Sequence, residues 1–413
     1  DYDDYMGKEV VIKDWGAEFR LPEGIVGKAE LGNVYRIDKV NGTWLWVTSA
    51  GGWISINEVV LKEEAEDFFT KRVKKDPKPD TYFERGMARL RMGEHKLAMI
   101  DFDQAITNKK TPQYYNARGI AWLEQGKPEK AISDHNQALK YNPKMAAGYY
   151  NRGNARLAMK QYAKAIADYN LSLRINPKNG RGYVNRGLCW HKRRDYEKAV
   201  ADFDKACELN ERWPLAYNNR ADSKNRMGKY DEALKDCDLA LKYDPKLSWA
   251  MVNRGNAWLG KKEFKKAMAD YNAAIESDEK FAPAYNNRAN AHASTGDFAN
   301  AIKDYRKSIE LDPEFAPAYN GWAWLTATCP EENLRDPEQA MKLALTASHY
   351  DNTEWNHWGT LAAAYAVSEK WEDAVKAQET CIKMLPPTVS EDDKNDCEAR
   401  LILYKNKKVY IDS

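Results

Sequence analysis

Seven arginines recur at one place in a repeating pattern: Arg85, Arg118, Arg152, Arg186, Arg220, Arg254 and Arg288. Sixteen residues after each stands an aspartate: Asp101, Asp134, Asp168, Asp202, Asp236, Asp270 and Asp304. A planar guanidinium grips a carboxylate with two parallel hydrogen bonds, so the spacing predicts Arg–Asp pairs within or between repeats. The competing chemistry is a basic ladder for an anionic ligand. Further along, the Arg place holds Trp322 and then Leu361, while the Asp place holds Leu343 and then Ala377. Both charges vanish together, which favours pairing. Beside the arginines runs an amide ladder: Asn151, Asn185, Asn219, Asn253 and Asn287. More amides flank it at Asn116, Asn218, Asn286 and Asn320, and three residues along at Asn154, Asn256 and Asn290. A primary amide offers one acceptor and two donors. A row of them can hold both the C=O and N–H of an extended peptide, or bridge neighbouring helices.

Catalytic motifs are missing. The chain has no Gly-rich phosphate loop, HExxH, GxSxG or kinase set. His349 and His357 lie near Asp351, but solvated turn residues are the expectation there and no metal site is predicted. The six cysteines form no CxxC pair. No catalytic residue and no cofactor is expected. With 64 Lys+Arg against 62 Asp+Glu, the net charge of +2 argues against bulk neutralisation of nucleic-acid phosphates. No apolar run approaches the roughly 18 residues of a membrane span.

The ladders need a scaffold that repeats. A chain of 413 residues exceeds one ordinary compact domain. Small residues at Gly119, Gly153, Gly187, Ala221, Gly255, Ala289 and Ala323 stand 34 apart. Alanines stand twelve residues after each of these up to Ala289, and Asn142-Pro143, Asn176-Pro177, Asp244-Pro245 and Asp312-Pro313 close several repeats. Each repeat shows two amphipathic helical stretches joined by a short turn. Gly or Ala lets the paired helices approach, and Pro stops the second one.

This pattern resembles the tetratricopeptide repeat over residues 62–388. The resemblance implies a right-handed α-solenoid of about nine repeats, over 79–388, starting near 79, 112, 146, 180, 214, 248, 282, 316 and 355. Residues 62–78 read as an N-terminal capping half-repeat and 389–413 as a C-terminal capping helix and tail. In that family the first helices line the concave face, so the resemblance puts the amide ladder in a peptide-binding groove. The ladder is similar to those of the protein O-glycosyltransferase superhelix and of armadillo proteins. Asn151, Asn185, Asn219, Asn253 and Asn287 would hold the peptide backbone. Asn154, Asn256, Asn290, Tyr150 and Arg181 would tune the choice of peptide.

Residues 5–61 alternate β-type runs with turns, including Val10-Val11-Ile12, Trp44-Leu45-Trp46-Val47 and the Asn41-Gly42 turn signal. About five strands in a small barrel are expected. The order resembles a bacterial SH3-like domain, and the combination with the repeats resembles proteins common in planctomycete-type bacteria. Trp44 and Trp46 share one strand face and are the surface candidates, either as a ligand platform or as a plug for the barrel.

The fold expected is therefore mostly α with a small all-β N-terminal domain. The expected function is a non-enzymatic scaffold binding an extended polypeptide in the concave groove. Two alternatives remain: a structural subunit of an assembly that self-associates through convex or end surfaces, and a single-stranded RNA reader. The partner expected is a protein or peptide, with no DNA and no membrane insertion. The chain begins at Asp1 without Met, so a removed leader is an expectation; the compartment stays open between cytoplasm and export, leaning to export.

Overall fold

The computed structural model describes residues 5–386 and 389–412. The expected boundary between the last repeat and the C-terminal cap falls on residues 387–388, outside the described residues. The chain divides into two compact units, Asp1–Asn185 and Arg186–Ser413.

The first unit opens with eight short strands, more than the five expected: β1 (Glu9–Ile12), β2 (Glu18–Leu21), β3 (Gly24–Lys28), β4 (Val34–Arg36), β5 (Lys39–Asn41), β6 (Trp44–Val47), β7 (Gly52–Ser55) and β8 (Val59–Leu61). They form antiparallel sheets in the orders β4-β1-β8 and β3-β2-β7-β6-β5. The β2–β3 hairpin escapes a sequence reading because strands of four and five residues carry too few alternations. Asn41 pairs with Trp44, so the loop residues are Gly42 and Thr43, one place later than an Asn-Gly turn. Gly42 takes the left-handed conformation at φ 55°.

Helices follow: α1 (Lys62–Lys75), α2 (Pro79–Arg91), α3 (His95–Asn108), α4 (Pro112–Glu124), α5 (Pro128–Tyr141), α6 (Ala146–Ala158), α7 (Tyr162–Ile175) and the start of α8 (Gly180–Lys192). Prolines at the first turn suit α2, α4 and α5, where a missing N–H costs nothing. The β domain is fused to this array. Val11, Leu31 and Val60 share a buried cluster with Ala65, Phe69 and Ala88. Trp15 stacks on Phe83 with ring centroids 6.2 Å apart. At Gly32, φ 80°, any Cβ would lie 2.9 Å from the Ala88 backbone. The β domain therefore packs directly on the first helices of the repeat array.

The second unit holds the rest of α8 and α9 (Tyr196–Leu209), α10 (Pro214–Arg226), α11 (Tyr230–Tyr243), α12 (Ser248–Gly260), α13 (Phe264–Ser277), α14 (Ala282–Ser294), α15 (Phe298–Leu311), α16 (Ala316–Thr328), α17 (Pro337–Tyr350), α18 (Trp355–Val367), α19 (Trp371–Lys383) and α20 (Glu391–Lys405). From α2 to α19 the helices pair into nine hairpins, with α1 and α20 left over as caps. Second helices end on an Asx turn: Asn142, Asp244, Asp278 and Asp312 each accept the N–H two residues on, at 3.0–3.1 Å. Inside a hairpin the small residue faces a ring. A Cβ on Gly255 would sit 2.5 Å from Tyr271. Residues 330–336 lengthen the turn of the eighth hairpin and hold a 3-10 turn, Glu332–Leu334.

Candidate functional site

Each recurring arginine lies on the first helix of a hairpin and meets its aspartate on the second. Nη2 reaches Oδ1 at 2.5–2.8 Å and Nε reaches the same carboxylate at 2.7–3.0 Å. The seven carboxylates are at most 6% exposed. Nη1 of Arg118, Arg152, Arg220, Arg254 and Arg288 binds Asp103, Asn136, Asp204, Asp238 and Asn272 on the preceding hairpin, at 2.6–2.9 Å. The hydrogen bond to Asp134 holds the Arg118 guanidinium above its usual range, and that to Asp270 does the same for Arg254. These cations are held by protein carboxylates and amides, and they form a hairpin clamp, not an anion ladder.

The amides divide by atom. Three ladder residues bridge to the preceding hairpin through Nδ2: Asn151 to Asn116 at 3.0 Å, Asn185 to Tyr150 at 3.2 Å and Asn154 at 2.9 Å, and Asn253 to Asn218 at 3.0 Å. Asn253 is 5% exposed. Asn287 donates to the Pro283 carbonyl of its own helix at 2.7 Å, and Asn219 accepts from Asn218 at 3.5 Å. The second row is engaged through oxygen. Asn154, Asn256 and Asn290 accept the hydroxyls of Tyr169, Tyr271 and Tyr305 at 2.6–2.8 Å. On α6, α12 and α14 the first Asn thus engages Nδ2 and the Asn one turn later engages Oδ1. Tyr150 is half-buried against Tyr169, while Arg181 is exposed at the start of α8.

In the second unit a cavity of about 700 Å³ is lined by Asn256, Asn286, Asn287 and Asn290. Lys192, Arg194 and Arg226 line it too, as do Asp351 and Glu354. Asn225 Oδ1 and Asn286 Oδ1 are buried there without a hydrogen-bond partner. Arg194 pairs with Glu354, 160 residues away in sequence, across this cavity. His191 also lines it; Ser223 Oγ lies 2.9 Å from its Nδ1, and burial holds its imidazole below the usual range. Sequence reading did not single out Arg194 and Glu354, because neither falls on a ladder position. His357 engages Nδ1 with the Asp351 carbonyl at 2.7 Å. Among the described residues no cluster of three or more His, Cys, Asp or Glu could hold a metal.

In the β domain, Leu45 and Val47 fill the interior at 0% exposure, so Trp44 and Trp46 lie on the outer face, half-buried. They do not plug the barrel. Trp46 packs edge-on against Trp53 at 5.3 Å, and the Arg20 guanidinium lies 5.9 Å from the Trp44 ring.

The fold and these helices define a solenoid of helical-hairpin repeats following a small β domain. Five of those hairpins, at residues 79–111, 146–179, 180–212, 214–247 and 282–315, match the tetratricopeptide repeat. A tetratricopeptide repeat protein from Parabacteroides merdae is similar in structure, with TM-score 0.50 and 21% identity, over 64% of this chain and 98% of that one. YrrB, described as a TPR protein with an unusual peptide-binding site, gives TM-score 0.40 and 24% identity over 44% of this chain and 95% of its own. No curated protein matches the sequence. No helix among the described residues is long and apolar enough to cross a membrane.

Proposed function

We propose that the chain is a non-enzymatic scaffold that holds an extended polypeptide segment against its amide-lined first helices. The observation that carries this reading is the paired amides of α6, α12 and α14. Each pair leaves one acceptor and one donor a helical turn apart, matching the N–H and C=O of an extended backbone and demanding little of its side chains. Tyr150 and Arg181 would tune the choice of peptide, and Trp44 and Trp46 would offer a second contact surface on the β domain. The RNA reading loses its main support, because the recurring arginines are already paired.

The test uses Asn219 and Asn287, which make no bridge to a neighbouring hairpin. The double variant Asn219→Ala/Asn287→Ala is expected to weaken binding to selected members of an unstructured peptide library by about 1–3 kcal/mol, two hydrogen bonds' worth. Its melting temperature should stay within a few degrees of wild type. A wild type that binds no peptide, and runs by light scattering as a closed oligomer, would favour the assembly reading instead.

A further inference from the structure

The first-helix line that carries Asn256 and Asn290 continues 34 residues on at Trp324 of α16. There the line is already occupied. Trp324 donates its indole N–H to Asp412 Oδ2 at 2.6 Å. One turn along, the Thr328 carbonyl accepts the Asp412 backbone N–H at 2.9 Å. The Tyr410 ring lies 5.8 Å from Trp324. The Arg400 guanidinium faces both rings, 5.1 Å from Trp324 and 5.6 Å from Tyr410. Arg400 is 6% exposed and its charge is met by Asp396 at 2.8 Å, so it presents a planar cationic face for a ring. Residues 408–412 belong to no helix or strand. They lie beside a cavity of about 680 Å³ whose lining includes Asn290, Asn320, Trp324, Arg400 and Asp412. Asn320 Oδ1 is buried at that lining without a partner, an acceptor available to a further backbone N–H.

We infer that the inner face of α16 is a docking site for an extended segment carrying an aromatic residue two places before a carboxylate, and that residues 408–412 are its intramolecular occupant. The chemistry follows from the site. An indole N–H takes a carboxylate as its strongest acceptor, the Arg400 face takes a ring, and the Thr328 carbonyl fixes the backbone direction. A partner segment of the same chemistry competes with a tethered one, whose effective concentration is of order millimolar. The inference rests on the reading that the first helices hold extended polypeptide, and it adds a sequence preference at this end.

The test is fluorescence anisotropy with a labelled peptide of residues 406–412, Asn-Lys-Lys-Val-Tyr-Ile-Asp. It is titrated with the full chain and with the full-length variant Tyr410→Ala/Asp412→Ala, whose helicity is checked by circular dichroism. The peptide should bind the variant at least tenfold more tightly than wild type. Changing the peptide's Asp to Asn, or adding Trp324→Phe to the variant, should remove that gain. Asp412→Asn alone should give part of it, which guards against a double variant that misfolds. Equal affinity for wild type and both variants, or no loss with the Asn peptide, overturns the inference. Library peptides that still bind, and still depend on Asn219 and Asn287, would show in that case that the groove reading stands while this site fails.

Discussion

Asp270 is 6% exposed and receives three hydrogen bonds from Arg254. Removing the carboxylate leaves the part-buried Arg254 guanidinium with Asp238 alone, so Asp270→Ala should cost about 1–3 kcal/mol in urea unfolding. Asp270→Ala/Arg254→Met should recover at least half of that, and a double variant no better than the single one would count against the clamp. His135 makes a second residue-scale case. It stands where the sister hairpins hold Phe102, Tyr169 and Phe203, is 0% exposed, and leaves both ring nitrogens without a partner. Burial, aided by the nearby Arg152 charge, pulls its pKa down to about 3. The unfolded chain takes up a proton near pH 6.5 that the folded one refuses. Stability is therefore lost as pH falls from about 6.5 towards 3, by up to about 1.4 kcal/mol per pH unit. His135→Phe should flatten that slope and raise stability at pH 7 by about 1–3 kcal/mol. Equal acid sensitivity in the two proteins would contradict this. The Arg–Asp pairs were legible in the sequence because both charges disappear from the same repeats. The roles of the asparagines were not, because an amide reads the same whichever of its atoms is engaged. The sequence hints at Asn154 and Asn256 only through the tyrosines fifteen residues later, Tyr169 and Tyr271.

At the scale of elements, the helical hairpins follow from a strict period of small residues, alanines and prolines, which is why their number and type could be read directly. The turns were less legible. Gly93, Gly126, Gly228 and Gly296 take positive φ at the hairpin tips, but Lys160, Arg194 and Lys262 do so too, where glycine would be expected. The β domain was under-read, since strands of three to five residues carry too few alternations to count. Its packing against α1 and α2 depends on a tertiary approach that no local pattern encodes. Gly32→Val places a branched side chain at φ 80° against the Ala88 backbone. It should lower the melting temperature of the whole chain by several degrees and open the 61–79 region to limited proteolysis. An unchanged melt would mean that the β domain is tethered without capping the array.

At the scale of the molecule, hairpins of one design carry different amides, so the scaffold is uniform while the polar face of its first helices is not. Binding of an extended chain turns on the second amide row. Asn256→Asp/Asn290→Asp keeps the oxygen that each tyrosine hydroxyl needs and replaces the Nδ2 donor with an acceptor that also carries negative charge. Asp222 stands at the equivalent place of α10, where His191 and Arg226 lie within 3.7 Å of its carboxylate and Cys237 takes the tyrosine's place. The measurement is the affinity of a library-selected peptide for wild type and for this variant, with both melting temperatures recorded. The expected result is a melting temperature within about 2 °C of wild type and a loss of binding free energy of about 1–3 kcal/mol. Undiminished affinity at unchanged stability would contradict it, and would leave these asparagines as partners of Tyr271 and Tyr305 alone.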